Sequence, residues 1–207
     1  MTKPLIYLIT EGILTAGNFD ENKNRILETI KNAVENKIPL VQIREKNLPA
    51  KLVFELTSQA VKITDRTDTK LLVNDRADIA LAAKADGVHL TGNSISAKII
   101  RQHFPGNFIL GVSTHSIEKA EQAKTEGADF VTFSPIFASP GKVTPAGLEK
   151  LREVCEKLKP FPVIALGGID ETNYNSVLEK GASGFAAIRF LNEIKNLKMI
   201  SRTKAGA

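Results

Sequence analysis

The sequence has little of what would place it in a membrane or an oxidising compartment. No apolar run approaches the roughly 20 residues that span a bilayer. The short apolar stretch after Pro4 soon meets Glu11 and shows no small-residue cleavage pattern, so we interpret it as a first strand and not a signal peptide. The single cysteine, Cys155, excludes an internal disulfide and fits a reducing cytoplasm. Its helical surroundings favour a buried structural thiol over a nucleophile.

Blocks of basic residues are absent as well. The net charge is +5, but Lys and Arg are scattered among Asp and Glu without interleaved aromatic residues. Nucleic-acid-binding proteins usually cluster their basic residues on one face. We therefore expect neither nucleic acid nor a membrane as a partner, and the mild basic excess suits a small anionic metabolite. The sequence leaves self-association into a homo-oligomer open.

Short β-branched runs alternate with amphipathic stretches along the whole chain, as in repeated βα units around a parallel sheet. One predicted helix covers Asn22–Asn36. Strands are predicted at Ile6–Ile9, Val41–Arg44, Leu71–Asn74, Gly87–Leu90, Phe108–Val112, Phe130–Phe133, Val163–Leu166 and Phe185–Ile188. Eight units without a low-complexity linker predict an α/β protein, a single (β/α)8-barrel domain over residues 1–207. A doubly wound open sheet is the alternative.

Three similar segments support this repeat. Residues 84–88, 126–131 and 180–185 each close a predicted helix and open a strand. In the last two, Gly127 and Gly181 stand where the end of a helix favours a left-handed residue. These segments indicate a repeated helix-to-strand corner.

Polar residues concentrate just past the predicted strands, and a barrel of this kind builds its active site there. Candidates for substrate binding are Gln42, Arg44, Lys46, Asn74, Ser113 and Lys142. Lys142 falls in a Pro/Gly-rich stretch after the sixth strand that is long enough to act as a lid. For both lysines the alternative is a solvated surface cation.

A phosphate site is predicted after the seventh and eighth strands, where such barrels usually bind phosphate. Gly167 and Gly168 follow the seventh strand and precede a helix predicted to open near Asp170. Glycines let backbone N–H groups approach an anion. Arg189, next to Ile188 at the end of the eighth strand, would add a bidentate clamp. The alternatives are a plain tight turn and a solvated arginine.

His115 is the predicted catalytic group, because a neutral imidazole can both take and give a proton. The alternative is a residue at a helix start capped by Ser113 or Ser116. His89 is predicted to be packed within a strand, and His103 to be solvated.

Asp75 is a predicted ligand for Mg²⁺, although an octahedral site usually wants more than one carboxylate. The alternative for Asp75 is a helix N-cap.

At these residues the sequence resembles the thiamine phosphate synthase / thiazole tautomerase (TenI) family over nearly its whole length. The resemblance implies a (β/α)8 barrel that acts on a small phosphorylated thiazole in thiamine biosynthesis. The matching segments are Val-Gln-Ile-Arg-Glu-Lys (41–46), Val-Asn-Asp-Arg-Ala-Asp-Ile-Ala (73–80), Ala-Asp-Gly-Val-His-Leu (85–90), Gly-Val-Ser-Thr-His-Ser (111–116), Gly-Ala-Asp-Phe-Val (127–131), Pro-Ile-Phe (135–137) and Ala-Leu-Gly-Gly-Ile (165–169).

The two branches of the family differ at a few of these positions. The synthase joins a pyrimidine diphosphate to a thiazole phosphate, releases diphosphate, and holds Mg²⁺ with two aspartates. Asp75 matches one aspartate, but Ser94 stands at the other. The loop after the sixth strand keeps Lys142 and loses a threonine, and Arg189 replaces a phosphate-binding serine.

The tautomerase branch also lacks the second acidic position, and its His-Ser pair matches His115-Ser116. There the histidine is the expected proton shuttle, and no metal is needed. The sequence therefore favours a thiazole tautomerase, an isomerase without a cofactor. The alternatives are a synthase, a transferase that uses Mg²⁺, and a non-catalytic phosphate-ligand binder or regulator.

Overall fold

The structure is a computed structural model that describes residues 3–138 and 144–205. Within these residues, eight parallel strands alternate with eight α-helices, and the strands follow one another in chain order around a closed barrel. The predicted (β/α)8 barrel is thereby confirmed, and the open doubly wound sheet is excluded. No helix among the described residues is both long enough and apolar enough to span a bilayer.

The strands are β1 (Leu5–Ile9), β2 (Leu40–Ile43), β3 (Lys70–Asn74), β4 (Gly87–Leu90), β5 (Ile109–Thr114), β6 (Phe130–Phe133), β7 (Val163–Leu166) and β8 (Gly184–Ala187). The helices are α1 (Phe19–Glu35), α2 (Ala50–Thr64), α3 (Ala77–Ala82), α4 (Ala97–His103), α5 (Ile117–Thr125), α6 (Gly147–Leu158), α7 (Tyr174–Glu179) and α8 (Ile194–Ala205). A short 3-10 helix, Phe190–Asn192, follows β8.

The predicted bounds hold for β4, β6 and β7, and differ by one or two residues elsewhere. β5 runs two residues beyond its predicted end, because Ser113 and Thr114 continue the pairing with β6. β2 and β8 each stop one residue early. Ser113 therefore lies inside a strand, whereas Arg44 and Ile188 are the first residues of their loops.

Contacts divide the chain into two compact units. The β5–β8 unit comprises Met1–Ile6 and His89–Ala187, and the β1–β3 unit comprises Tyr7–Val88 and Ile188–Ala207.

In the β1–β3 unit the strand register separates two faces. Ile9 pairs with Gln42, and Gln42 pairs with Leu72, so these side chains share one face. Val41 and Leu71 lie on the other face, where burial is complete. On the first face, the buried Gln42 Nε2 donates to the hydroxyl of Tyr7 at 2.7 Å. Burial raises the pKa of the Tyr7 phenol far above its usual value.

The β5–β8 unit is closely packed where Gly111 pairs with Phe130. A Cβ on Gly111 would lie 2.4 Å from Cζ of Phe130 and 2.6 Å from Nδ1 of His89, so the close approach requires glycine. His89 is 2% exposed, and its Nε2 lies 2.9 Å from Oγ of Ser113. The prediction of a packed, hydrogen-bonded His89 is confirmed.

The helices α1, α3, α5 and α7 end in the same way. After α3, Lys84 N–H donates to the Leu81 carbonyl and Ala85 N–H donates to the Ala80 carbonyl, the two bonds of a Schellman motif. The other three ends repeat this pair of bonds. The left-handed residues are Lys37 (φ 54°), Lys84 (φ 62°), Gly127 (φ 91°) and Gly181 (φ 89°). The predicted left-handed glycines are confirmed.

An aspartate completes two of these corners. Asp129 accepts a hydrogen bond from Leu110 N–H with its carboxylate (2.7 Å), while its own N–H donates to the Leu110 carbonyl (2.8 Å). Asp86 makes the same two bonds to Leu71. Arg101 adds a bond to the Asp129 carboxylate at 2.8 Å. Each corner thus fixes the start of one strand against the preceding strand.

Cys155 lies on the buried side of α6, between Val154 and Leu158 in the chain. Burial raises the pKa of its thiol to about 12, which suppresses the reactive thiolate. The prediction of a buried structural cysteine is confirmed.

Candidate active site

In the β1–β3 unit, Arg44 is the first residue after β2. Its backbone N–H donates to Oγ1 of Thr10 at 2.8 Å, and its side chain is half-buried. Arg25, Arg66, Arg76, Arg101 and Arg152 all pair with carboxylates. Within the described part of the chain, the guanidinium of Arg44 has no carboxylate partner. An unpaired, half-buried guanidinium is suited to receive an anionic ligand.

The next residue, Glu45, is 4% exposed and accepts three hydrogen bonds. Its Oε1 accepts from Oγ1 of Thr10 (2.7 Å) and from Gly12 N–H (3.1 Å), and its Oε2 accepts from Leu14 N–H (2.8 Å). The carboxylate therefore holds the loop after β1. The Lys46 side chain is exposed.

Asp75 follows β3 in a left-handed backbone conformation, with φ 58°. Nδ2 of Asn74 donates to its Oδ2 at 2.8 Å. The alternative prediction that Asp75 caps a helix is wrong, because α3 begins at Ala77 and its N-cap position is Arg76. Aspartate and asparagine adopt this conformation more readily than most other non-glycine residues.

Ser94 is the position at which the family resemblance implies a second metal-binding aspartate. Its Oγ accepts from Thr91 N–H at 2.7 Å and so closes a turn after β4. Among the described residues, no group of three or more His, Cys, Asp or Glu side chains is placed to hold a metal. Mg²⁺ is usually held by one or two carboxylates together with substrate phosphates. Asp75 thus fits an ion that arrives with a diphosphate, and poorly fits one held by the protein alone.

In the β5–β8 unit, His115 directly follows β5 and its side chain is exposed. Its Nδ1 lies 2.7 Å from the Ser134 carbonyl oxygen, which can only accept. In the neutral ring Nδ1 therefore carries the hydrogen, and Nε2 keeps a lone pair with which to take a proton. The helix start belongs to Ser116, whose Oγ accepts from Lys119 N–H, and not to Ser113.

The glycines after β7 lie against the loop after β6. Their φ values are 103° for Gly167 and 66° for Gly168. A Cβ would lie 2.8 Å from Cα of Pro135 at the first position and 2.6 Å from the Ala138 carbonyl oxygen at the second. Phe137 N–H also donates to the Gly167 carbonyl at 3.0 Å. Packing alone therefore requires both glycines, whether or not phosphate binds there.

The helix predicted near Asp170 begins four residues later, at Tyr174. The delay arises because Oδ1 of Asp170 accepts from the N–H and the hydroxyl of Thr172 and so favours a turn. Asn173 fastens the glycine loop, since its Nδ2 donates to the Gly168 carbonyl at 2.9 Å. The N–H of Gly168 has no acceptor within the described residues, so it can donate to an anion.

Ile188 and Arg189 follow β8, in the β1–β3 unit. Nδ2 of Asn192 donates to the carbonyls of Ile188 (2.5 Å) and Ile9 (2.8 Å) and so fixes this segment. The Arg189 side chain is exposed and has no carboxylate partner among the described residues. Lys142 lies outside the described residues.

Sequence reasoning missed Glu45, Asn173 and Asn192 as residues that support the candidate site. Glu45 lies in the polar stretch after β2, but nothing in the sequence indicates that its side chain is buried. The two asparagines act through loop geometry, which no spacing in the chain reveals.

Comparisons with known proteins agree with the barrel fold. A putative thiamine-phosphate synthase 2 of Aquifex aeolicus is 40% identical over 195 residues, 93% of this chain and 100% of that protein. A putative thiamine-phosphate synthase of Geobacter sulfurreducens is 39% identical over 88% of this chain and 84% of that protein. Among solved structures, a thiamine phosphate pyrophosphorylase from Pyrococcus furiosus matches with a TM-score of 0.79 and 30% identity over 96% of each chain.

The sequence profile described as thiamine monophosphate synthase (TMP-TENI) matches residues 6–191, which include β2 to β8 and all of β1 except Leu5. These matches cover nearly the full length of the chain as well as the strand ends that carry the polar residues. The chain belongs to the thiamine monophosphate synthase (TMP-TENI) family of thiamine-biosynthesis enzymes.

Proposed function

We propose that this chain is a transferase that joins a pyrimidine diphosphate to a thiazole phosphate and releases diphosphate. The observation that carries the proposal is the pairing of β2 with β3, which brings the polar residues after these two strands together. Arg44 and Asn74 each follow one of the paired residues Ile43 and Val73, so the backbones of Arg44 and of the Asn74–Asp75 pair leave two adjacent strands side by side. The names of the relatives at 40% and 39% identity support the same reaction.

Each residue of the site has a distinct part in this proposal. Arg44 binds diphosphate oxygens through its fork of donors, and Lys46 adds positive charge. Asn74 orients Asp75, which would hold Mg²⁺. The ion, when bound, would neutralise charge on the departing diphosphate. Gln42 and Ser113 contact the organic part of the substrates, and Lys142 is assigned to substrate as well.

The phosphate of the thiazole is assigned to Gly167, Gly168, Ile188 and Arg189. Support for the glycines comes from the Gly168 N–H, which the described residues leave without an acceptor. Support for Arg189 comes from its exposed guanidinium, likewise without a carboxylate partner there.

A thiazole tautomerase, the function that the sequence favoured, is the second candidate. Two observations favour it: Ser94 offers no carboxylate, and Nε2 of His115 is available as an acid–base group. The names of the relatives favour the transferase instead, so the transferase takes first place.

Turnover with both substrate sets separates the two candidates. We expect the purified protein with Mg²⁺ to form thiamine phosphate from pyrimidine diphosphate and thiazole phosphate, and to leave the carboxythiazole phosphate unchanged. Conversion of the carboxythiazole phosphate alone would establish the tautomerase, and His115→Asn should then lower the rate by about 10²–10⁴-fold. Tight binding of the thiazole phosphate without turnover of either set would overturn both candidates in favour of a binder.

A further inference from the structure

Glu45 is a buried carboxylate that the proposed reaction does not use directly. It is 4% exposed, and no Lys, Arg or His among the described residues pairs with it. Burying a charge without a counter-ion is costly unless hydrogen bonds replace the lost water. Here all the compensation comes from the loop after β1, through Thr10, Gly12 and Leu14.

The same loop also lies beside Arg44. Thr10 links the two residues, since its hydroxyl donates to Glu45 and accepts from Arg44 N–H. Gly12, with φ 78°, lies so close that a Cβ there would be 3.2 Å from the Arg44 carbonyl oxygen and 3.6 Å from Nη1 of its guanidinium. The backbone of Gly12 therefore packs beside the guanidinium, and its hydrogen bond to Glu45 fixes its position.

Only a carboxylate satisfies this arrangement. Both oxygens of Glu45 accept from donors, two on Oε1 and one on Oε2. An amide at this position would put an NH₂ group against at least one N–H or O–H donor. Glu45→Gln has nearly the same size and leaves one donor of the loop unsatisfied, so it loosens the loop with little change in volume.

We propose that Glu45 is a positioning residue that holds the loop after β1 against Arg44, so that the guanidinium is oriented to bind an anionic diphosphate group. This inference rests on the proposed role of Arg44 in diphosphate binding. Glu45 does not itself contact the ligand and acts through Thr10 and Gly12.

A double-mutant cycle tests this coupling, with the dissociation constant of inorganic diphosphate measured by titration calorimetry. Glu45→Gln should weaken binding about ten-fold, because a misplaced charge-assisted contact loses on the order of 1.4 kcal/mol. In an Arg44→Ala background, Glu45→Gln should have no further effect, because the group that it positions is gone. Equal losses in the two backgrounds would mean a general structural role and would overturn the inference.

Two further variants keep the test sharp. Thr10→Val preserves the shape of the side chain and removes the linking hydroxyl, so it should weaken diphosphate binding as Glu45→Gln does. It replaces Glu45→Gln in the test if that variant does not fold. Glu11→Gln is the matched control, because this carboxylate lies on the same loop but pairs with Arg25, and it should leave the dissociation constant unchanged. If Arg44→Ala itself changes nothing, the proposed role of Arg44 fails. If Arg44→Ala weakens binding but Glu45→Gln and Thr10→Val do not, only the positioning role fails.

Discussion

The charged residues at the two ends of the strands differ in how far they are paired within the protein. At the helix-to-strand corners, polar groups are paired within the protein: Asp86 and Asp129 each bind the backbone of the preceding strand. At the carboxyl ends, Arg44 and Arg189 have no carboxylate partner among the described residues, and Asp75 adopts a left-handed backbone. In barrels of this type, the amino-terminal face serves stability and the carboxyl face serves chemistry.

The contrast separates two kinds of substitution. Replacing a corner residue breaks bonds that the folded state already makes, so it should lower stability and spare activity. Replacing a strand-end residue removes a group held ready for a ligand, so it should lower activity and spare stability. Glycines that serve both packing and binding should do both.

The largest effect is expected at Asp75. Asp75→Asn should lower kcat/KM for thiamine phosphate formation by about two orders of magnitude, because the ligand for Mg²⁺ loses its charge. Asparagine tolerates the left-handed backbone as aspartate does, so the melting temperature should stay the same. Steady-state kinetics with varied Mg²⁺ and thermal denaturation measure the two quantities.

Asp78→Asn is the control for this prediction. Asp78 lies three positions further on, is exposed, and pairs with Arg76, whose guanidinium holds the pKa of that carboxyl below its usual range. Its loss should leave kcat/KM unchanged. Equal kinetics for wild type and Asp75→Asn would contradict the metal-binding role.

Gly168→Ala should lower both stability and ligand binding, because this glycine serves packing as well as the proposed phosphate site. At φ 66°, with a Cβ 2.6 Å from the Ala138 carbonyl oxygen, alanine is strained and should cost about 1–3 kcal/mol of unfolding free energy. Displacement of the loop should also raise the dissociation constant of inorganic phosphate. Urea unfolding and calorimetry measure these effects. Gly106→Ala, with nothing within 4 Å of its Cβ, should do neither.

The smallest effect on activity is expected at a corner. Asp129→Ala leaves Leu110 N–H without its side-chain acceptor and takes from Arg101 its carboxylate partner, which should cost about 1–2 kcal/mol of unfolding free energy. Activity should stay within error of wild type. A lowered kcat/KM in a variant that remains folded would show that the corners and strand ends are not independent.

The barrel was predictable because each βα unit repeats one pattern, and even the corner residues Gly127 and Gly181 follow it. The predicted strand bounds were wrong where hydrogen bonding between strands continued past the residues that usually form strands. Ser113 and Thr114 are polar, so the sequence ended the fifth strand before them, yet their pairing with β6 extends it. The seventh helix was placed too early, because a turn made by the Asp170 side chain competes with it.

The polar residues of the strand ends were predictable as candidates, since the fold assigns chemistry to that face. The contacts that hold them were not. The bond from His115 to the Ser134 carbonyl joins two strands, and the bond from Asn173 to Gly168 depends on a loop conformation. Both bonds depend on the folded geometry, because neither partner can be inferred from spacing in the chain.

The four similar helix-to-strand corners differ in the residue that occupies the left-handed position. Two of them place glycine in the left-handed position, and two place lysine there, at Lys37 and Lys84. A side chain in this conformation costs roughly 1 kcal/mol or more relative to glycine. The fold accommodates this cost at Lys37 and Lys84, because a protein needs only to remain above a threshold of stability. Glycine at Lys37 or Lys84 should therefore stabilise the barrel, because both positions lie outside the candidate site.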